Sequence, residues 1–222
     1  MLRALIFDFD GTILDTEMPT FIAWQQTYAK YGQVLTLEEY SAVIGSDYHK
    51  FDPRRTLEER SGQRFDWHTL DTERRSHCYR IIEQQESLPG VRRLLLEAKA
   101  RSIRCGVASS SPTDWVQGHL ERLGLLSHFS SISCADNGCP PKPAPDVYLR
   151  ALKLLNISPD EALAIEDSPN GLLAAQSAGI RCIIVPNQLT RLLPFPAKEQ
   201  LLSGLGSVSL ENLTGLSAIL PQ

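Results

Sequence analysis

Four short apolar runs, each stopped by a polar cluster, constrain this chain more than any other feature of it. Leu2 to Phe9 is apolar and β-prone and is halted at Gly11. Ile103 to Ala108 runs into Ser109-Ser110-Ser111-Pro112, Ala162 to Ile165 into Glu166-Asp167-Ser168, and Arg181 to Val185 stops at Pro186. Runs this short and this apolar read as strands buried on both faces. Helical patterns separate them: Val91 to Arg101, Pro112 to Leu123, Pro145 to Leu155 and Pro169 to Ala178. The last two open on Pro, whose missing N–H has no intrahelical partner in a first turn anyway. Strands alternating with helices imply a parallel sheet covered on both faces.

The stretch from residue 16 to 86 breaks this rhythm. It holds no clear strand, is rich in charge and Gln, and carries Phe21, Trp24, Tyr28 and Tyr31 at three- and four-residue steps. That spacing puts the rings on one helix stripe. Leu57 to Arg60 and Leu70 to Ile82 are further helical candidates. The expected architecture is α/β: a Rossmann-like, three-layer parallel-sheet core over residues 1–15 and 87–222, with an inserted all-α cap over residues 16–86.

Composition narrows the function classes. A net charge of −4 over 222 residues offers no broad basic field for a nucleic-acid backbone. No apolar run approaches the roughly 20 residues that span a bilayer. Asp8 and Asp10 interrupt the apolar N-terminus too early for a signal peptide, so a cytoplasmic protein without membrane or nucleic-acid partners is expected. The cysteines, Cys78, Cys105, Cys134, Cys139 and Cys182, are odd in number and contain no C-x-x-C pair. They read as reduced structural thiols, not zinc ligands.

The chemistry-bearing residues sit where the apolar runs end. Asp8 and Asp10 are two apart on the first run, so both face one side of a strand while Phe9 faces the other. Gly11 permits a sharp turn and a close backbone approach. Two neighbouring carboxylates repel and call for a cation or a shared proton. Phosphoryl transfer uses both, with one carboxylate as nucleophile and metal ligand and the other as proton carrier. Glu166-Asp167 is a second acidic pair at a strand end, with Gly171 opening the next helix. Hard oxygen donors of this kind suit Mg²⁺, although Asp167 or Ser168 taken alone also fits an acidic helix cap. Lys142 lies in Pro140-Pro141-Lys142-Pro143-Ala144-Pro145, a stiffened loop able to aim one ammonium; in isolation it reads better as an exposed turn lysine. Ser109 and Ser110, before a helix N-terminus, offer hydroxyl and backbone N–H groups to a phosphate, and Ser110 or Ser111 could equally serve as a helix cap.

Taken in order, Asp8-Phe9-Asp10-Gly11-Thr12, Ser109, Lys142 through Tyr148, and Glu166 to Gly171 resemble the four motifs of the haloacid dehalogenase-like (HAD) superfamily. The match runs from residue 2 to about residue 186, and a cap between the first two motifs is similar to the phosphoglycolate phosphatase and beta-phosphoglucomutase subgroup. The resemblance implies a phosphoric monoester hydrolase acting on a small phosphorylated metabolite. Asp8 would be the nucleophile and Asp10 the general acid/base. Mg²⁺ would sit among Asp8, the Asp10 carbonyl, Asp167 and Glu166, with Gly11, Thr12, Ser109, Ser110 and Lys142 around the phosphoryl group. Two alternatives accompany it, a sugar phosphomutase of the beta-phosphoglucomutase type and a non-catalytic phosphate-binding regulator. Beta-phosphoglucomutases carry a cap His where this chain has Thr20 and an Arg in a G-x-x-R context where it has Gly45-Ser46-Asp47-Tyr48, which favours hydrolysis. Dehalogenases proper lack an acid at the position of Asp10. A monomer or a homodimer is expected.

Overall fold

The computed structural model describes residues 1–43, 51–195 and 201–219. The residues Gly45 to Lys50, which include the G-x-x-R comparison, lie outside the described residues. The chain divides into two compact units. One comprises Met1–Leu14, Glu86–Asn187 and Pro194–Gln222; the other comprises Asp15–Gln85 and Gln188–Leu193.

The first unit is built on a five-stranded parallel sheet. Its strands are β1 (Ala4–Phe7), β2 (Arg104–Ser109), β3 (Ser131–Cys134), β4 (Ala162–Glu166) and β5 (Arg181–Ile184), in the spatial order β3-β2-β1-β4-β5. The central strand is buried along its whole length, as a strand covered on both faces must be. Ala4 and Ile6 pack into one core layer with Val147, Tyr148, Ala151 and Leu155 of α7 (Asp146–Leu155) and Leu172 and Ala175 of α8 (Pro169–Ser177). Phe7, one residue out of phase, meets Phe129 edge-on at 6.0 Å. The remaining helices of this unit are α5 (Val91–Ala100), α6 (Thr113–Arg122) and α9 (Leu210–Ile219).

All four sequence-expected strands form; the first and last are trimmed, while the other two run one residue further, to Ser109 and Glu166. The fifth, β3, was not anticipated. Its Ser-Ile-Ser-Cys sequence has no apolar run, and it pairs only with β2 at the sheet edge. Edge strands need less apolar surface, so their signal is weak.

Register does the positioning. Phe7 lies beside Val107 on one side and Ile165 on the other. The residues just beyond, Asp8, Ser109 and Glu166-Asp167, therefore emerge together at the carboxyl end of three adjacent strands. The chain runs from β1 out to β2 and β3, then crosses back to β4 and β5. That reversal leaves a crevice at the switch point, where open α/β sheets bind ligands.

The second unit is helical: α1 (Glu17–Lys30), α2 (Leu37–Ser41), α3 (Pro53–Ser61) and α4 (Trp67–Glu83). Thr36 begins α2 with a reciprocal capping box to Glu39, and Asp52 and Asp66 cap α3 and α4. Each cap satisfies N–H groups that a helix start leaves without partners. The aromatic stripe becomes this unit's core. Phe21, Trp24 and Tyr28 are buried with Tyr40 and Leu57, and Phe65 and Trp67 pack against them. Leu189, fully buried in the same cluster, is why Gln188–Leu193 belongs here rather than with the strand it follows.

Candidate active site

The turn after β1 is tight. Gly11 N–H donates to Leu14 O at 2.7 Å, and Ile13 and Leu14 both donate to Phe9 O. Gly11 holds φ at +82°, and a Cβ there would lie 2.3 Å from Asp167 Oδ2. Only glycine allows both the turn and the approach of that carboxylate. Asp8 stays in the ladder through its N–H to Ile165 O at 2.9 Å, so its carboxylate leaves the sheet between β2 and β4.

Asp8, Glu166 and Asp167 are all buried, with carboxylate oxygens within 4.8 Å of one another. Lys142 sits against two of them. Its ammonium donates to Asp8 Oδ1 and, at 2.5 Å, to Glu166 Oε1. Its backbone N–H donates to Ser110 Oγ at 3.1 Å, which fixes the proline-rich loop to the end of β2. The Tyr148 hydroxyl also donates to Glu166 Oε1, at 2.5 Å. Glu166 Oε2 accepts the Asp167 N–H at 3.3 Å. Gly171 makes room for this packing, because a Cβ at that position would fall 1.9 Å from Glu166 Oε2.

The electrostatics follow from burial. Loss of water raises the Asp8 carboxyl well above the usual range, Glu166 and Asp10 push it further, and Lys142 pulls against them. Burial by itself would lower the Lys142 ammonium, yet Asp8 and Glu166 outweigh it and hold the lysine charged. Burial and the Glu166 charge raise the Tyr148 phenol, so it remains a donor. Three carboxylates face one ammonium, which leaves an excess of negative charge. A divalent cation fits this donor set: all-oxygen, anionic, and open at Gly11 to close approach.

Ser109 ends β2, buried, and its Oγ accepts from Ser111 N–H at 3.0 Å. That leaves the hydroxyl proton for an anion. Asp10 turns its carboxylate elsewhere. Oδ2 accepts from Ser111 Oγ at 2.5 Å and Oδ1 from the Trp115 indole N–H at 3.0 Å. Thr12 is buried, and its hydroxyl has no hydrogen-bond partner among the described residues. The structure therefore gathers Asp8, Lys142, Glu166 and Asp167 into direct contact, sets Ser109 and Ser110 beside them, and leaves the Asp10 carboxylate in a separate pair of bonds.

Sequence reasoning gave no role to several contacting residues. Tyr148 was seen only as the end of the lysine motif. Ser111 was read as a cap and Trp115 was not singled out. Asn187 donates its amide to Asp167 Oδ2 at 2.9 Å. It follows the fourth apolar run, and the rule that polar residues after strand ends carry chemistry would have found it. Trp115 had no local signal, because its bond to Asp10 spans 105 residues.

Comparison with known proteins agrees with this geometry. Residues 5–185 match the family model described as haloacid dehalogenase-like hydrolase. YhcW of Bacillus subtilis (strain 168), named as a phosphatase, is 41% identical over 210 residues and covers 95% of each chain. A phosphorylated carbohydrates phosphatase of Thermotoga maritima is 30% identical over 184 residues, 82% of this chain and 84% of that one. Among solved structures, CbbY from Rhodobacter sphaeroides in complex with xylulose-(1,5)bisphosphate superposes with a TM-score of 0.71 at 28% identity, covering 96% of this chain and 99% of that one. With its motifs converging at the end of one parallel sheet, the chain belongs to the haloacid dehalogenase-like hydrolase family.

Proposed function

We propose that this protein is a Mg²⁺-dependent phosphatase that hydrolyses a small phosphate monoester, of the sugar-phosphate class, through an aspartyl-phosphate on Asp8. One observation carries the reading: the buried Lys142 ammonium bridges Asp8 and Glu166 within a carboxylate triad that has negative charge to spare. Mg²⁺ would be held by Asp8, Asp167 and the Asp10 backbone carbonyl, with Glu166 bordering it. Bound there, it supplies the positive charge that lets an anionic nucleophile meet an anionic phosphate.

The chain's own groups do the rest. Ser109 and Ser110 hold phosphoryl oxygens at the end of β2, and Lys142 draws the phosphoryl group towards Asp8 while remaining charged. Asp8 attacks phosphorus, the ester P–O bond breaks, and Asp10 gives its proton to the leaving oxygen. Water then attacks the phosphorus of the aspartyl-phosphate. Asp10 takes the water's proton, the bond to Asp8 breaks, and the carboxylate is regenerated. Sugar phosphates are favoured because a relative named a phosphorylated carbohydrates phosphatase matches 82% of the chain.

Phosphate release from sugar phosphates, phosphoglycolate, nucleotides and p-nitrophenyl phosphate, with Mg²⁺ and with excess EDTA, tests this. Release that EDTA abolishes supports the reading and names the best ester. A folded, Mg²⁺-binding protein that releases phosphate from none of them overturns it. Activation by a sugar bisphosphate would indicate a mutase instead.

A further inference from the structure

We infer that Asn187 is a positioning residue that makes the cation site selective for Mg²⁺ over Ca²⁺, by holding the Asp167 carboxylate in one orientation. The inference rests on the proposed reading in which Asp167 is a ligand of the cation.

Asn187 Nδ2 donates to Asp167 Oδ2 at 2.9 Å. Both groups lie against the Gly11 backbone: a Cβ on Gly11 would come 2.3 Å from Asp167 Oδ2 and 2.8 Å from Asn187 Nδ2. Oδ2 is thus wedged between a glycine and an amide donor. The backbone of Asp167 is fixed as well. Its N–H donates to Glu166 Oε2 at 3.3 Å, and Ser168 beside it caps α8 by accepting Gly171 N–H at 3.1 Å. The segment carrying Asn187 is tied to the same strand end, because Val185 N–H donates to Glu166 O at 2.7 Å. What remains to Asp167 is rotation of its carboxylate, and the amide bond opposes that rotation.

A neutral amide suits this place. It orients the carboxylate without adding charge, so the negative excess of three carboxylates over one ammonium stays available to a cation. A lysine or arginine in its stead would offset that excess, and an aspartate would accept where a donor is needed. A carboxylate held in one orientation favours Mg²⁺, which demands near-octahedral geometry. Ca²⁺ is larger, adopts flexible geometry and takes carboxylates through one oxygen or both. A carboxylate released to turn therefore serves Ca²⁺ about as well as before and Mg²⁺ worse. Partners that orient a metal's ligands typically change its affinity by about ten- to a hundredfold.

The test titrates MgCl₂ and CaCl₂ separately into wild type, Asn187→Ala, Asn187→Leu and Asp167→Asn at constant ionic strength, and reads each Kd from thermal melts. Leucine keeps the volume of the amide side chain and loses its donor, so it stands in should the alanine variant fail to fold. Both Asn187 variants are expected to bind Mg²⁺ about tenfold or more weakly, with Ca²⁺ affinity within about threefold of wild type. A merely structural role lowers the melting temperature without metal and leaves the ratio of the two affinities unchanged, and that result overturns the inference. Equal weakening of both cations overturns it too. If Asp167→Asn weakens neither cation, or wild type binds neither, Asp167 does not hold the cation and the proposed reading falls with the inference. If Asp167→Asn weakens Mg²⁺ binding and the Asn187 variants do not, the role of Asn187 alone is wrong.

Discussion

At the carboxyl end of the sheet, Glu166 is fully buried and Asp8 and Asp167 are 7% and 2% exposed, and one lysine pairs with Glu166 and Asp8. In the helical unit most ion pairs lie in water. Lys30 and Glu73, 2.6 Å apart, are more than half exposed, and Arg55 and Glu59 are more so. Surface pairs of that kind stabilise little. A more buried case among the described residues is Asp71, which pairs with Arg74 at 3.1 Å and with Arg54; Arg74 also lies 4.3 Å from the Trp24 ring. The two units hold buried charge for different ends. At the sheet the like charges are left in excess, which favours a bound cation at the expense of stability. In the helical unit Asp71 is matched by cations, which serves packing.

That contrast can be broken by experiment. The largest effect is expected from Asp8→Asn, which should lower turnover at least about a thousandfold while circular dichroism shows an unchanged fold. Next comes Gly171→Ala. Its Cβ collides with Glu166, so Lys142 and Tyr148 lose their common acceptor, and kcat should fall roughly a hundredfold. If the excess negative charge is the organising feature, Mg²⁺ at a hundred times its Kd should stabilise the protein by about 2.7 kcal/mol. Thermal melts should show that gain in Asp71→Ala and lose it in Asp167→Asn; a gain that survives in Asp167→Asn would place the cation elsewhere. Asp71→Ala itself leaves the half-buried Arg74 without its carboxylate and should lower stability by about 2 kcal/mol, read by urea denaturation, with the Mg²⁺ response intact. The smallest effect is Gly32→Ala in the helical unit. It meets no neighbour, but φ is +68°, so the left-handed backbone alone costs about 1 kcal/mol and kcat stays unchanged.

Much of the site was legible because its residues end apolar runs. Asp8, Ser109 and Glu166-Asp167 each follow a run whose length and composition declare a buried strand, and position relative to a strand end is local information. Asn187 obeys the same logic without being given a role, whereas Tyr148 lies in the first turn of α7 and carries no strand-end signal. The edge strand β3 was not legible, since a strand buried less fully needs fewer apolar residues. Leu189 was not legible either: it reads as a leucine after a strand, and only the aromatic cluster it enters shows why it belongs with the helices.

The sequence by itself determined the periodicities, and with them a parallel sheet, a helical insertion and a set of acidic and hydroxyl residues at strand ends. These are consequences of a few neighbouring residues competing for burial. Tertiary structure decided which strand ends meet. β1 lies between β2 and β4, so Asp8 meets Glu166, and Lys142 arrives 134 residues down the chain from the carboxylate it pairs with. It also decided that the Asp10 carboxylate is held by a tryptophan far from it in sequence, at 3.0 Å. Strand order and such contacts depend on how all the helices cover both faces of one sheet, a long-range balance of burial that no short window of residues contains.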